Sequence, residues 1–123
     1  MKIASLVVTE PEQQLCEDAA ATFAILASPV RIRLLSLLAR GESDVGTLAA
    51  SSGAGVTSTS QHLAKLRLAG LVSVRVAGRR HVYVVDDPHV ISLVEQALDH
   101  HADLRATRAR QVRHSGTDQK VER

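Results

Sequence analysis

The sequence predicts a mainly α-helical domain that carries one β-hairpin, and three observations support this fold class. Apolar residues recur at helical spacing through the first two thirds of the chain. Glycine, or a Ser-Pro or Asp-Pro pair, marks the boundaries of the helical segments. Within residues 71–85, apolar and polar side chains alternate as they do in strands. The 123 residues, 45% of them hydrophobic, suffice for one domain with its own core.

Two helices are predicted in the first third of the chain. Residues 11–27 have apolar side chains at every third or fourth position. Ser28 and Pro29 then favour a new helix, as N-cap and first helical residue, and Gly41 ends it. We expect residues 1–10, which precede the first helix, to form a flexible segment.

Two shorter helices are predicted on either side of a tight turn. The first covers residues 44–52, after which Gly53 and Gly55 tolerate the positive φ that such a turn requires. The second covers residues 56–69 and ends before Gly70. This arrangement is typical of a helix-turn-helix.

The second of these helices has an apolar face and a polar face. At about 100° per residue, one side gathers the expected core contacts, which are Val56, Thr59, Leu63 and Leu66. The opposite side carries hydrogen-bonding groups at the helix N-terminus, the end that a recognition helix presents to base edges. Because Gln pairs well with adenine and Ser or Thr can donate or accept, this face suits the reading of duplex DNA. Its residues are Thr57, Ser58, Gln61 and Lys65, with Ser60 near the edge.

A basic hairpin follows the helix pair. Strands are predicted over residues 71–76 and 81–85. Arg75, Arg79 and Arg80 give the hairpin a positive charge suited to phosphate contacts. A helix-turn-helix followed by such a hairpin predicts the winged helix-turn-helix fold, with double-stranded DNA as its partner.

A long helix is predicted to close the domain. Asp87 as N-cap and Pro88 as first residue begin it, and it is expected to end near residues 108–110. Residues 111–123 are polar and basic, and we expect them to form a disordered tail. Residues 11–110 therefore form the predicted domain.

Composition excludes several classes of protein. A single cysteine, Cys16, can form neither an internal disulfide nor a multi-thiolate zinc site. Two aromatic rings, Phe23 and Tyr83, are too few to stack a row of single-stranded bases. No apolar run approaches the roughly 20 residues of a membrane span, and the apolar start lacks a cleavage site, so we expect a cytoplasmic protein. Neither a Gly-x-Ser-x-Gly motif nor a phosphate loop occurs, which argues against an enzyme.

The net charge of +2 conceals a separation of charge along the chain. Residues 27–82 carry eight Lys and Arg against two acids, whereas residues 83–103 carry five acids and no Lys or Arg. A basic segment followed by an acidic, His-containing one indicates that polyanions and cations bind at different places.

Four acidic and imidazole side chains have the spacing of a metal site shared between two chains. His89 and His100 return to within about 20° of one helix face, and Asp103 lies one turn beyond. These imidazoles are nevertheless about 16 Å apart along the axis, too far to bind one ion within a single chain. In an antiparallel pair of helices, His89 of one chain lies opposite His100 of the other, and Asp87 lies opposite Asp103. Both pairings imply nearly the same two-fold axis. Such a homodimer would hold two sites, each with two imidazole and two carboxylate ligands.

This ligand set favours zinc, with nickel or cobalt next. His114 is a possible extra ligand for a six-coordinate metal such as nickel. Each group also has an ordinary explanation, as an interface histidine or as the helix N-cap. The alternative is that the protein binds no metal and senses redox changes through Cys16.

Three motifs resemble those of the ArsR/SmtB family, in the family's order, over about residues 15–105. Residues 27–35, ASPVRIRLL, resemble its A-x-P-x-R-x-x-I/L-L opening. Residues 58–66, STSQHLAKL, followed by AGLV, resemble its recognition helix, and residues 78–83, GRRHVY, resemble its wing. The resemblance implies a homodimeric repressor that binds operator DNA in the apo state and is released by an inducer, usually a metal ion.

The resemblance extends to the predicted metal ligands. Asp87, His89 and His100 match the D-x-H-x10-H-x2-(E/H) pattern of the family's zinc-sensing members, but Asp103 stands where Glu or His is usual. Its shorter side chain would loosen the site or change the metal preference. The family's other common site, a Cys-x-Cys pair in the third helix, is absent because residues 44–46 read DVG.

Overall fold

The computed structural model describes the backbone of residues 9–122 and the side chains of residues 9–115. The segment predicted to be flexible, residues 1–10, lies almost entirely outside this range. The chain divides into two compact units, Met1–Asp87 and Pro88–Arg123. Where they are described, the first unit consists of four helices and a small sheet, and the second of one helix.

Two helices with side-chain N-caps begin the first unit. α1, Glu10–Leu26, follows Thr9, whose hydroxyl accepts a backbone hydrogen bond of the first turn at 3.3 Å. α2, Pro29–Ala39, follows Ser28, whose hydroxyl accepts the Arg31 N–H at 3.3 Å. The predicted N-cap and first residue of α2 are confirmed. The Ser28 hydroxyl accepts an N–H of the first turn, and Pro29 has no N–H that would need an acceptor.

None of the described helices is long and apolar enough to cross a membrane alone. Taken together, α1 and α2 have the length and composition of a membrane span, but the pair is bent by 95°.

The predicted helix-turn-helix consists of α3, Val45–Ser52, and α4, Val56–Leu68. The Asp44 carboxylate caps α3 by accepting a backbone N–H of its first turn at 2.7 Å. Gly53 and Gly55 adopt φ values of +75° and +80° in the turn. Side chains disfavour this left-handed region, so the two glycines permit the sharp change of direction between the helices.

The predicted hairpin consists of β2, Ser73–Ala77, and β3, Arg80–Val84. A turn of two residues joins the strands, and its first residue, Gly78, has φ +65°. β2 begins two residues later than the sequence predicts. Apolar residues 71 and 72 are buried ahead of it, which explains why the strand pattern starts early.

A third strand, β1, was not predicted. It comprises Ser43–Asp44 and pairs antiparallel with β3, which gives the sheet the strand order β1-β3-β2. Two residues are too few to show the alternation by which a strand is recognised in a sequence.

The core of the first unit is built mainly from leucines of three helices. They are Leu34, Leu35 and Leu38 of α2, Leu48 of α3, and Leu63 and Leu66 of α4. Thr59 of α4 is also fully buried, as predicted. The prediction for Val56 is wrong, because this first residue of α4 is 57% exposed. The inward face of α4 begins only at Thr59.

The second unit contains α5, Pro88–Glu122. It begins at the predicted proline but continues beyond residues 108–110, through the segment where disorder is expected. No proline interrupts residues 111–122, and the single Gly116 costs a helix only about 1 kcal/mol relative to Ala. Val90 and Val94, one turn apart, are buried, whereas the described side chains from Glu95 onward are exposed.

Candidate nucleic-acid interface and metal site

The polar face of α4 is accessible. Thr57, Ser60, Gln61 and Lys65 are exposed and Ser58 is half-buried. The opposite face of α4 lies in the leucine core, which fixes the helix in place. Hydroxyl and amide groups on such a rigid, accessible helix face can donate to and accept from base edges.

The N-terminus of α4 has unused hydrogen-bonding capacity. Its N-cap, Gly55, makes no side-chain cap. The N–H groups of the first helical turn therefore lack a side-chain acceptor, and the helix dipole makes this end favourable for an anion such as a phosphate.

An unpredicted hydrogen-bond chain ties α4 to the first two helices. Arg31 of α2 donates from Nε to Nδ1 of His62 at 3.2 Å, and another guanidinium nitrogen donates to the Ile25 carbonyl at 2.8 Å. Burial, followed by the positive charges of Arg31 and Lys65, lowers the pKa of His62. A neutral His62 with an accepting Nδ1 fits this geometry, so this side chain has a packing role.

The hairpin formed by β2 and β3 is the wing of the fold, and its three arginines differ in their surroundings. Arg75 donates from Nε to Oε2 of Glu42 at 2.8 Å and makes a second bond to the other carboxylate oxygen. Arg80 forms an ion pair with Asp44. Arg79 is exposed in the turn and has no ion pair among the residues that the structure describes.

The two acids of these pairs are strongly held in their ionised forms. The hydrogen bonds from Arg75 lower the pKa of Glu42, and Glu42 raises the pKa of Arg75 in return. The backbone and side chain of Thr47, followed by Arg80, lower the pKa of Asp44 from 3.8 to about 2. Both carboxylates are therefore charged at neutral pH.

The predicted metal ligands are all exposed. Asp87 immediately precedes α5, and His89, His100 and Asp103 lie on it. Within the described part of one chain, no three His, Cys, Asp or Glu side chains come close enough to hold an ion together. Imidazole and carboxylate groups remain a donor set that suits zinc, nickel or cobalt.

The remaining candidate residues are also accessible. His114 lies on α5 and is exposed. His101, which is also exposed, contacts the His100 ring edge-on, with 5.0 Å between ring centroids. Cys16 is a free, exposed thiol on α1.

Sequence comparisons place the helix-turn-helix in a known family. Residues 28–74 match the model of the bacterial regulatory protein arsR family. The HTH-type transcriptional regulator KmtR of Mycobacterium tuberculosis is 40% identical over 88 residues, which cover 72% of this chain and 67% of the relative. A transcriptional repressor SmtB homolog of Synechocystis is 41% identical over 63% of this chain and 59% of its own length. The regulator NmtR of M. tuberculosis is 36% identical over 76% and 78%.

Solved structures of regulators have the same fold. NolR of Sinorhizobium fredii superposes with a TM-score of 0.67 at 28% identity, covering 77% of this chain and 95% of that one. The homodimeric winged helix-turn-helix DNA-binding domain of Mb0332 from Mycobacterium bovis gives a TM-score of 0.67 at 29% identity, covering 80% and 94%.

The fold and its relatives define a DNA-binding transcriptional regulator of the winged helix-turn-helix class, not an enzyme. Within that class, the chain belongs to the arsR family of bacterial regulatory proteins, as its identity to KmtR and NmtR shows.

Sequence reasoning missed the partners of two predicted phosphate contacts. Glu42 precedes the unpredicted two-residue strand β1 and Asp44 is its second residue, and nothing in their spacing relates them to arginines more than 30 positions away. The one available signal was that they are the only acids within residues 27–82.

Proposed function

We propose that this chain is a metal-responsive repressor that binds operator DNA as an apo homodimer and is released by a divalent ion bound between two copies of α5. The observation that carries the proposal is the exposed stripe on α5 formed by His89, His100 and Asp103. These groups have metal-binding chemistry, and one chain alone does not gather them. Because operator DNA is the target, we place the protein in the cytoplasm.

The DNA-binding part of the proposal rests on α4 and the wing. In the dimer, two α4 helices would enter successive major grooves about 34–36 Å apart, on an inverted repeat. Base edges would be contacted from the N-terminal half of α4, and phosphates from Lys65 and the wing. The base-contacting residues are Thr57, Ser58, Ser60 and Gln61.

The metal part rests on the two-fold relation between ligands. In an antiparallel pair of α5 helices, Asp87 and His89 of one copy would join His100 and Asp103 of the other, so the dimer would hold two sites. Zinc is the preferred ion for this nitrogen and oxygen set, with nickel or cobalt next. His114 falls on the same stripe at about 100° per residue and is the candidate for an additional ligand.

Apolar side chains beside the ligands support the pairing of two α5 helices. Leu93 and Leu104 are 40% and 38% exposed. Both lie within about 60° of His89 on the helix circumference. A stripe of exposed leucines next to polar ligands favours contact with another apolar surface, and a second copy of the same stripe supplies one.

Release follows from coupling between the two functions. Ligation would hold the two α5 helices at one spacing and angle, and the two α4 helices would then no longer match the operator. Metal and DNA binding must weaken each other by the same factor, typically about 5–150-fold.

The proposal is tested with two neighbouring histidines. His100→Gln removes a proposed ligand, whereas His101→Gln, about 100° away on the helix, is the matched control. Operator affinity is measured by fluorescence anisotropy with a duplex from upstream of the gene, at one salt concentration, with and without zinc. We expect zinc to weaken binding of the wild type and of H101Q about 5–150-fold, and to leave H100Q unchanged. Undiminished release of H100Q would contradict the proposal.

A second candidate function is favoured by the exposed thiol of Cys16. A metal-independent repressor that senses oxidants at Cys16 would not respond to zinc in this assay. It would instead release DNA on treatment with a thiol oxidant, equally in the wild type and in H100Q.

A further inference from the structure

The wing arginines do not make equal contributions to the positive surface. Arg75 and Arg80 each have a carboxylate partner, and Arg79 has none in the part of the chain that the structure describes. The two partners, Glu42 and Asp44, are the only acids between residues 27 and 82. Both negative charges of residues 27–82 are thus paired with arginines of the wing.

The sheet register explains how these groups meet. β3 lies between β1 and β2, and Val82 of β3 pairs with Asp44 on one side and with Arg75 on the other. Cross-strand partners project from the same face of a sheet, and Arg80 projects there too because it lies two residues before Val82. The unpredicted strand β1 therefore brings the two acids to the face that carries the arginines.

Each acid makes more than one hydrogen bond. The Asp44 carboxylate also accepts the Thr47 N–H at 2.7 Å as the N-cap of α3. Glu42 binds Arg75 through both carboxylate oxygens. Paired, charge-assisted bonds of this kind fix the direction of a guanidinium. A phosphate that approached Arg75 or Arg80 would also approach a fixed negative charge.

We propose that Glu42 and Asp44 are positioning residues that withhold Arg75 and Arg80 from the DNA backbone, which leaves Arg79 as the phosphate-contacting arginine of the wing. This inference rests on the DNA-binding function proposed above. It revises the expectation from the sequence that all three arginines contact phosphates.

The salt dependence of DNA binding tests the assignment. Each phosphate contact contributes about 0.9 to the slope of log affinity against log salt. We measure this slope by fluorescence anisotropy for the full-length protein and a mixed-sequence duplex. Per subunit, Arg79→Ala should lower the slope by about 0.9, whereas Arg75→Ala and Arg80→Ala should leave it near the wild-type value.

The reverse substitutions provide an independent measurement. Glu42→Gln and Asp44→Asn free one arginine each, and Asn still serves as an N-cap for α3. Each should raise the slope by up to about 0.9 per subunit and tighten binding. Asp86→Asn is the matched control, because Asp86 bonds the Ser73 hydroxyl at 3.2 Å rather than an arginine. It removes the same charge and should leave the slope unchanged.

The outcomes separate the two proposals. If R75A and R80A lower the slope as much as R79A, or if E42Q and D44N behave like D86N, the positioning role is wrong while DNA binding stands. If the wild type shows no salt-dependent binding to the duplex, the DNA-binding function itself is contradicted, and this inference with it.

Discussion

Among individual residues, Asp44 combines two structural tasks. Its carboxylate caps α3 through the Thr47 N–H and forms an ion pair with Arg80. Both partners favour the ionised form, which is why the pKa of Asp44 falls to about 2. The charge of this one carboxylate thus links the start of the helix-turn-helix to the wing.

This lowered pKa predicts a pH dependence of stability. The folded-state pKa, about 2, lies below the ordinary 3.8. Ionised Asp44 therefore stabilises the fold above pH 3.8, and that contribution is lost as the pH falls from 3.8 towards 2. Asp44→Asn keeps an N-cap but cannot titrate.

Urea unfolding of the wild type and D44N checks this expectation. The wild type should be the more stable protein at neutral pH, by a margin that stays constant down to about pH 5. The margin should then shrink on further acidification. A margin that does not change down to the lowest pH would show that Asp44 is not responsible.

On the scale of elements, α4 depends on its buried face to present its polar face. Leu66 is fully buried, whereas Leu68, two residues later, is 91% exposed. Leu66→Ala should therefore reduce the free energy of unfolding by about 2–5 kcal/mol, because it leaves a cavity. Leu68→Ala should change it by no more than about 0.5 kcal/mol. Equal effects of the two substitutions in urea unfolding would contradict the observed orientation of α4.

The helices and the hairpin could be predicted because their signals are local. Ser28 and Pro29 mark the start of α2, and Gly53 and Gly55 mark the turn before α4, all within a few residues of the element concerned. β1 could not be predicted, because a two-residue strand exists only through its pairing with β3, about 40 positions away.

The same distinction applies to the candidate sites. The accessible face of α4 follows from helical periodicity, and the structure exposes the predicted residues except Ser58, which is half-buried. The ion pairs of Arg75 and Arg80 depend on the sheet register, which no local pattern records. The extent of α5 was also missed, since a change to polar composition at residue 111 does not end a helix.

On the scale of the whole molecule, the winged helix-turn-helix unit is followed in the chain by a helix that carries metal-binding groups. The four predicted ligands would complete a site only in a dimer, where each site draws on both chains. This sharing between chains distinguishes the proposed site from one that each chain would form independently.

Zinc binding by mixed dimers separates a shared site from a site within one chain. His89→Gln and His100→Gln each remove one imidazole from both sites of a homodimer. In a mixed dimer of the two variants, one site lacks both imidazoles and the other keeps both. After equimolar mixing and subunit exchange, we expect zinc that resists a chelating dye to reappear, although neither variant alone retains it. A mixture that binds no more zinc than its separate components would contradict a site shared between chains.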